Sequence, residues 1–177
     1  MGIPSPSSAE VRRFDFLRGK FRPTSPDIRP PWAHPELRFR DLCNGCGDCV
    51  DACPTGILVR ARGGYPIVDF SADECTFCAD CVRACKPEAL LKEPGAAPWN
   101  LTAVVVTASC LSANGVTCRV CGEQCEREAI NFRLATGGKA VPVIDSSRCN
   151  GCGACVAPCP VDSVEIHMEQ VRTQRKP

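Results

Sequence analysis

Apolar residues in this chain come in short clusters rather than long stripes. Gly56-Ile57-Leu58-Val59 and Tyr65-Pro66-Ile67-Val68 read as two short strands joined through Gly63-Gly64, since β-branched runs bounded by glycine favour hairpins. The pattern returns later: Ala129-Ile130-Asn131-Phe132-Arg133-Leu134 and Ala140-Val141-Pro142-Val143-Ile144 flank Gly137-Gly138. Trp99 to Thr107 predicts one more strand, and its centre, Ala103-Val104-Val105-Val106, reads as buried. The helical signals are single turns. Cys81-Val82-Arg83-Ala84-Cys85 predicts one such turn, continued toward Ala89-Leu90-Leu91. No apolar stretch approaches the roughly 20 residues that cross a bilayer, so no membrane span is expected.

Cysteines punctuate these clusters at fixed spacing. Cys43 to Pro54, C-N-G-C-G-D-C-V-D-A-C-P, has the form C-x2-C-x2-C-x3-C-P, the ligand run of bacterial 4Fe-4S ferredoxins. Thiolates two residues apart wrap one cubane only if the backbone between them turns tightly, and Asn44, Gly45, Gly47 and Asp48 tolerate such turns. Cys75, Cys78, Cys81 and Cys85 repeat the spacing, as do Cys149, Cys152, Cys155 and Cys159 before Pro160. A variant, C-x7-C-x2-C-x3-C, is formed by Cys110, Cys118, Cys121 and Cys125. These runs use all 16 cysteines. Zinc sites use C-x2-C pairs separated by longer gaps, and a disulfide framework needs an oxidising compartment for which no leading signal peptide speaks.

In two-cluster ferredoxins the fourth cysteine of a run ligates the other cluster. That rule assigns Cys43, Cys46, Cys49 and Cys85 to a first cluster, and Cys75, Cys78, Cys81 and Cys53 to a second. A third takes Cys110, Cys118, Cys121 and Cys159, and a fourth takes Cys149, Cys152, Cys155 and Cys125. The interval Leu111 to Thr117 makes Cys110 the weakest member; its alternative is an ordinary buried thiol beside an incomplete site. The intervals between paired runs are 21 residues (54–74) and 23 residues (126–148), and this repeat argues that the Cys110 run does the work of its counterpart at Cys43.

The expected fold is α+β: a small Cys-rich fold of two tandem bacterial 2×4Fe-4S ferredoxin-like units with short strands and helices. The units span 43–93 and 99–168, with a Pro/Gly linker at 94–98. Residues 1–42 read as a basic, largely extended N-terminal arm and 169–177 as a polar tail. With 7 Phe, 2 Trp and 1 Tyr against 16 Pro and 14 Gly, a conventional core is hard to assemble, so cluster binding supplies much of the folding free energy.

The formal charge of +1 ignores the metals. An oxidised cubane with four thiolates carries −2, so four of them bring the holoprotein to about −7. The arm is the basic exception. Within it, Val11 to Lys20 joins Arg12, Arg13 and Arg18 to Phe14 and Phe16, and reads as a solvated helix or a docking peptide. Arg12-Arg13 invites a twin-arginine export reading, but Arg22, Pro23, Pro26 and Asp27 follow where an apolar region would have to stand. Trp32, among Pro30, Pro31 and Pro35, either packs on the cluster body or faces a partner. His34 and His167 fit no ligand spacing. No hydrolytic triad, P-loop or dinucleotide fingerprint is visible, which argues against an enzyme, and nothing points to nucleic acid.

Arg29-Pro30-Pro31-Trp32 ahead of the first run, Gly63-Gly64-Tyr65-Pro66 within the first unit and the C-x7-C-x2-C-x3-C run together resemble the NapF family. These are ferredoxin-type accessory proteins of periplasmic nitrate reductase systems. The resemblance runs through nearly the whole chain, including Arg12-Arg13 and Phe16-Leu17-Arg18-Gly19, and departs at Glu126, where the pattern often has proline. It implies a cytoplasmic protein that meets the catalytic subunit NapA before export and helps its maturation. The residues themselves leave two alternatives: a plain electron carrier to redox partners, or a structural zinc module.

Overall fold

The structure, a computed structural model, describes residues 27–168. Arg12, Arg13, Arg18, the 11–20 segment and the tail at 169–177 lie outside the described residues. The elements run α1 (Glu36–Leu42), α2 (Asp48–Asp51), β1 (Leu58–Arg60), β2 (Pro66–Val68), α3 (Asp80–Ala84), β3 (Leu101–Val105), a 3-10 turn (Ser112–Asn114), α4 (Val120–Glu123), β4 (Ile130–Ala135), β5 (Lys139–Ile144) and β6 (Val164–Met168). This is a small α+β fold in which turns outweigh regular elements.

Both glycine-centred hairpins form. β1 pairs antiparallel with β2, Leu58 opposite Val68, and β4 pairs with β5, Ile130 opposite Ile144. β3 pairs antiparallel with β6, Leu101 opposite Met168 and Val105 opposite Val164, and so ties the start of the second half to its end. Sequence reading missed β6, although Val164-Glu165-Ile166-His167 alternates buried and exposed as a half-buried strand should. In the first half the corresponding closure shrinks to one bridge, Ala33 to Leu90. The Leu91 amide donates to Trp32 O at 2.9 Å and the His34 amide to Ala89 O at 3.2 Å. Pro30 and Pro31 have no amide hydrogen with which to lengthen the ladder.

Three expectations change. The sequence suggests an extended arm to residue 42, but the stretch from Ile28 onward packs into the first half. The Val68 amide donates to Ile28 O at 2.8 Å, and Glu36–Leu42 is helical with Phe39 buried. Trp32 is buried too: its amide donates to Pro98 O at 2.6 Å, its indole Nε1–H to Ala96 O at 3.4 Å, and Lys92 Nζ stands 4.7 Å from its ring. It clamps the 94–98 linker and is not a surface anchor. The turn at Cys81 stops at Ala84 instead of continuing to Leu91, because Pro87 lacks an amide hydrogen and disfavours helix at Lys86 before it. Finally, Ala103–Val106 is buried on one face only: Ala103 is covered while Val104 is 40% exposed, since a two-stranded sheet leaves its other face to water.

One apolar core runs through both halves, joining Phe39, Ile57, Leu58, Val68, Phe70 and Leu90 of the first to Leu101, Ala103, Ile130, Val164 and Ile166 of the second. Aromatic rings mark the seam. Trp99 lies edge-on to Phe70 at 5.9 Å and to Phe77 at 5.6 Å, and its indole donates to Asn150 O at 2.8 Å.

Arg29 organises the opposite edge. Its guanidinium stands 5.0 Å from the Phe39 ring and 5.6 Å from Tyr65, donates to Pro66 O at 3.1 Å, and pairs with both oxygens of Glu36. Those hydrogen bonds from Arg29, joined by Arg40, hold the Glu36 carboxyl down to about 2 against the opposing effect of burial. The depressed value means that this contribution is complete above the ordinary carboxylate range and is lost as pH falls toward about 2. Arg29→Ala should lower stability by about 2 kcal/mol in urea titrations of the holoprotein. Arg29→Lys should recover only part, because an ammonium keeps the charge but not the planar stack and fork.

Candidate metal centres

The three regular cysteine runs are built on paired left-handed turns. Gly45 and Gly47 have φ of +70° and +86°, and Gly151 and Gly153 have +69° and +88°. At the matching places of the Cys75 run stand Phe77 and Ala79, at φ +54° and +63°, so the tertiary structure imposes there a backbone that side chains disfavour by about 1–2 kcal/mol each. Asn side chains tighten the glycine-bearing turns: the Cys46 amide donates to Asn44 Oδ1 at 3.1 Å and the Cys152 amide to Asn150 Oδ1 at 3.2 Å. Arg60 braces the first run through Gly45 O at 3.2 Å and Cys46 O at 2.7 Å, and Arg83 braces the second through Cys78 O at 3.0 Å.

Thiols from two different runs converge at each centre. Cys43, Cys46 and Cys49 line one small pocket together with Cys85, beside Phe39 and Leu90. Cys75, Cys78 and Cys81 line a second with Cys53, and Cys110, Cys118 and Cys121 line a third with Cys159. For the remaining four, burial raises the Cys152 thiol above its ordinary value, and the Glu74 carboxylate, then the Cys125 and Cys149 thiols, raise it further. Elsewhere the crowding is as evident. Burial first, then Cys85, Cys43 and Cys46, pushes the Cys49 thiol up to about 11. Burial first, then Cys110, Cys118 and Cys159, does the same to Cys121. Such sets hold several thiolates only with metal to neutralise them.

The fourth cysteine of a run meets a different environment. Burial opposes ionisation of Cys53 and Cys159, yet hydrogen bonds outweigh it and both thiols fall below their ordinary value. At Cys159 the Ser163 amide donates to Sγ at 3.2 Å and the Ser163 hydroxyl stands 3.3 Å away. At Cys53 the Thr55 hydroxyl lies 3.7 Å off, and at Cys125 the Ala129 amide donates at 3.3 Å. Donors aimed at sulfur stabilise the anionic form that an iron cluster requires.

Cys110 reaches its cavity by a route the other runs do not use. After β3 the chain turns, the Cys110 amide donating to Val106 O at 3.1 Å. The Asn114 side-chain amide then clamps the turn, donating to Cys110 O at 2.8 Å, Thr107 O at 3.0 Å and Ala108 O at 3.2 Å. Ser112 Oγ donates to Ala140 O at 2.5 Å and anchors the same turn to β5. Asn114 and Ser112 were missed in the sequence, where nothing but their place inside the long spacer marks them.

Residues 42–89 and 116–163 each match the 4Fe-4S dicluster domain. The second span begins after Cys110, so the matched pattern leaves that cysteine out. The chain is 41% identical over 165 residues to the ferredoxin-type protein NapF of Haemophilus influenzae, covering 88% of this chain and 93% of that protein. It is 42% identical over 155 residues to NapF of Escherichia coli K12, with the same two coverages. The chain belongs to the NapF family. A more distant relative is the methylamine utilization ferredoxin-type protein MauM of Methylophilus methylotrophus, 35% identical over 157 residues, covering 80% of this chain and 70% of that protein. The matched domain holds 4Fe-4S clusters, which are the cofactors here, and the 16 cysteines suffice for up to four. Among the described residues no helix is long and apolar enough to cross a membrane.

Two turn glycines separate backbone strain from packing. A Cβ on Gly45 would meet only Gly64 O at 3.4 Å, so Gly45→Ala should cost about 1 kcal/mol for its φ alone. A Cβ on Gly153 would run into the Phe70 ring, so Gly153→Ala should cost clearly more and speed loss of visible absorption on heating. Thermal bleaching of the two holoproteins measures the order.

Proposed function

We propose that this NapF protein is a cytoplasmic 4Fe-4S polyferredoxin that serves as an accessory and maturation factor for NapA before its export, and is not itself an enzyme. Membership of the NapF family carries this reading; NapA, the maturation role and the compartment rest on it alone. The ligand sets follow from the fourth-cysteine rule, and the shared cavities and thiol crowding support them: Cys43, Cys46, Cys49 and Cys85; Cys75, Cys78, Cys81 and Cys53; Cys110, Cys118, Cys121 and Cys159; Cys149, Cys152, Cys155 and Cys125.

The clusters supply one-electron exchange. The chain supplies everything else: thiolates, N–H donors on the fourth cysteines, and an apolar wall that limits water around Cys49, Cys81, Cys110 and Cys155, each 7% exposed. A second reading, a general electron relay to redox partners, is favoured by the solvent-exposed Cys46 and Cys78, which bring two sets to the surface. In the maturation reading the basic Arg12, Arg13 and Arg18 help to dock NapA although the holoprotein as a whole carries about −7, so the contact weakens with salt.

Anaerobic holoprotein should contain about 16 iron atoms per chain with matching acid-labile sulfide. Cys110→Ala should remove up to about four of them, and Cys53→Ala should affect the cluster of Cys75, Cys78 and Cys81 while sparing that of its own run. A spectrum in which Cys53→Ala erases the Cys43 cluster alone contradicts the exchange. Deleting residues 1–24 should keep iron and colour but reduce co-purification with unexported NapA. Undiminished binding assigns docking to the cluster body, and failure of the intact chain to bind NapA overturns the maturation role.

A further inference from the structure

The two ferredoxin-like halves do not sit side by side as independent two-cluster carriers. At the seam, the amide of Cys75 donates to the carbonyl of Cys152 at 2.8 Å, so a thiol-bearing residue of the second set is hydrogen-bonded to one of the fourth set. Trp99 closes the same seam. Its edge packs on Phe77, which lines the Cys75 cavity, and its indole donates to Asn150 O inside the Cys149 run. Gly153, also in that run, lies so close to Phe70 that no side chain fits between them.

Within each half the contact is just as direct. α2 and α3, carrying Cys49 and Cys81, pack against each other, and both thiols belong to the shared core. In the second half Cys159, from the same run as Cys155, lines the cavity of Cys110, Cys118 and Cys121, and Cys121 and Cys125 pack against the core that holds Cys155. The first set adjoins the second through packed helices, the second is hydrogen-bonded to the fourth, and the fourth shares its run and its core with the third.

We propose that the four sets form one continuous electron relay in the order Cys43 set, Cys75 set, Cys149 set, Cys110 set, with the Cys75–Cys152 hydrogen bond and Trp99 as its central joint. The order departs from the order of the runs along the chain, and it makes the Cys43 and Cys110 sets the two ends at which electrons enter and leave. One electron lost at one set is gained at the next, so the internal steps need no proton and no further reactant. The inference rests on the ligand sets proposed above, which iron analysis tests separately.

The test uses the full chain, reduced with dithionite and examined by EPR, where neighbouring reduced clusters broaden one another and a lone cluster gives an unbroadened signal. Cys43→Ala with Cys46→Ala removes one end. The relay leaves three clusters in contact and essentially no uncoupled signal, whereas independent halves strand the Cys75 cluster and give about one uncoupled spin per chain. Cys118→Ala with Cys121→Ala poses the same question from the other end. Cys75→Ala with Cys78→Ala strands the Cys43 cluster under either arrangement and supplies the reference signal. Each double variant should lack about four iron atoms, and a different loss refutes the ligand sets rather than the order. Anomalous scattering from iron in crystals of the unaltered holoprotein needs no variant. The relay is overturned if the closest pair of clusters across the seam is any pair other than the Cys75 and Cys149 sets, or if either end variant yields the stranded signal.

Discussion

Every element of this NapF protein is arranged around one geometric demand: three thiols close in sequence and one from a distant run must face the same small volume. Cys85 joins Cys43, Cys46 and Cys49 across more than thirty residues, and Cys159 joins Cys110, Cys118 and Cys121 in the same manner. The intervening chain has little freedom left. It can form a hairpin, β1–β2 or β4–β5, and one helical turn, and then it must return. Short elements and an abundance of Gly and Pro are the consequence of that closure.

The demand is also paid in strain and charge. Phe77 and Ala79 hold left-handed backbone that their glycine counterparts in the other runs adopt freely. Cys49 and Cys121, pushed up to about 11 by burial and by their neighbours, show how poorly the thiols coexist as free anions. Fold and metal are therefore coupled, since cluster binding relieves the crowding that the fold creates.

The second half meets the demand by different means from the first. A full ladder, β3 with β6, replaces the single Ala33–Leu90 bridge, and a clamped turn around Asn114 replaces the glycine turns that present Cys43. The two halves share a plan because they share a ligand geometry, and they diverge where prolines block one ladder and a long spacer opens another route to the same cavity.

The sequence by itself determined the chemistry. Thiol spacing is a local property, so the four runs and the glycine-centred hairpins were legible without coordinates. Tertiary structure decided what depends on distant contacts. Trp32 proved to be a buried clamp because Pro98 and Ala96 approach it from the linker. Val104 faces water because only one face of its two-stranded sheet packs on the core. The adjacency of Cys75 to Cys152 is carried by one backbone hydrogen bond between residues far apart in the chain, and neither spacing nor periodicity encodes such a contact. Local pattern specifies which groups bind, and only the packing of one half on the other specifies which groups are neighbours.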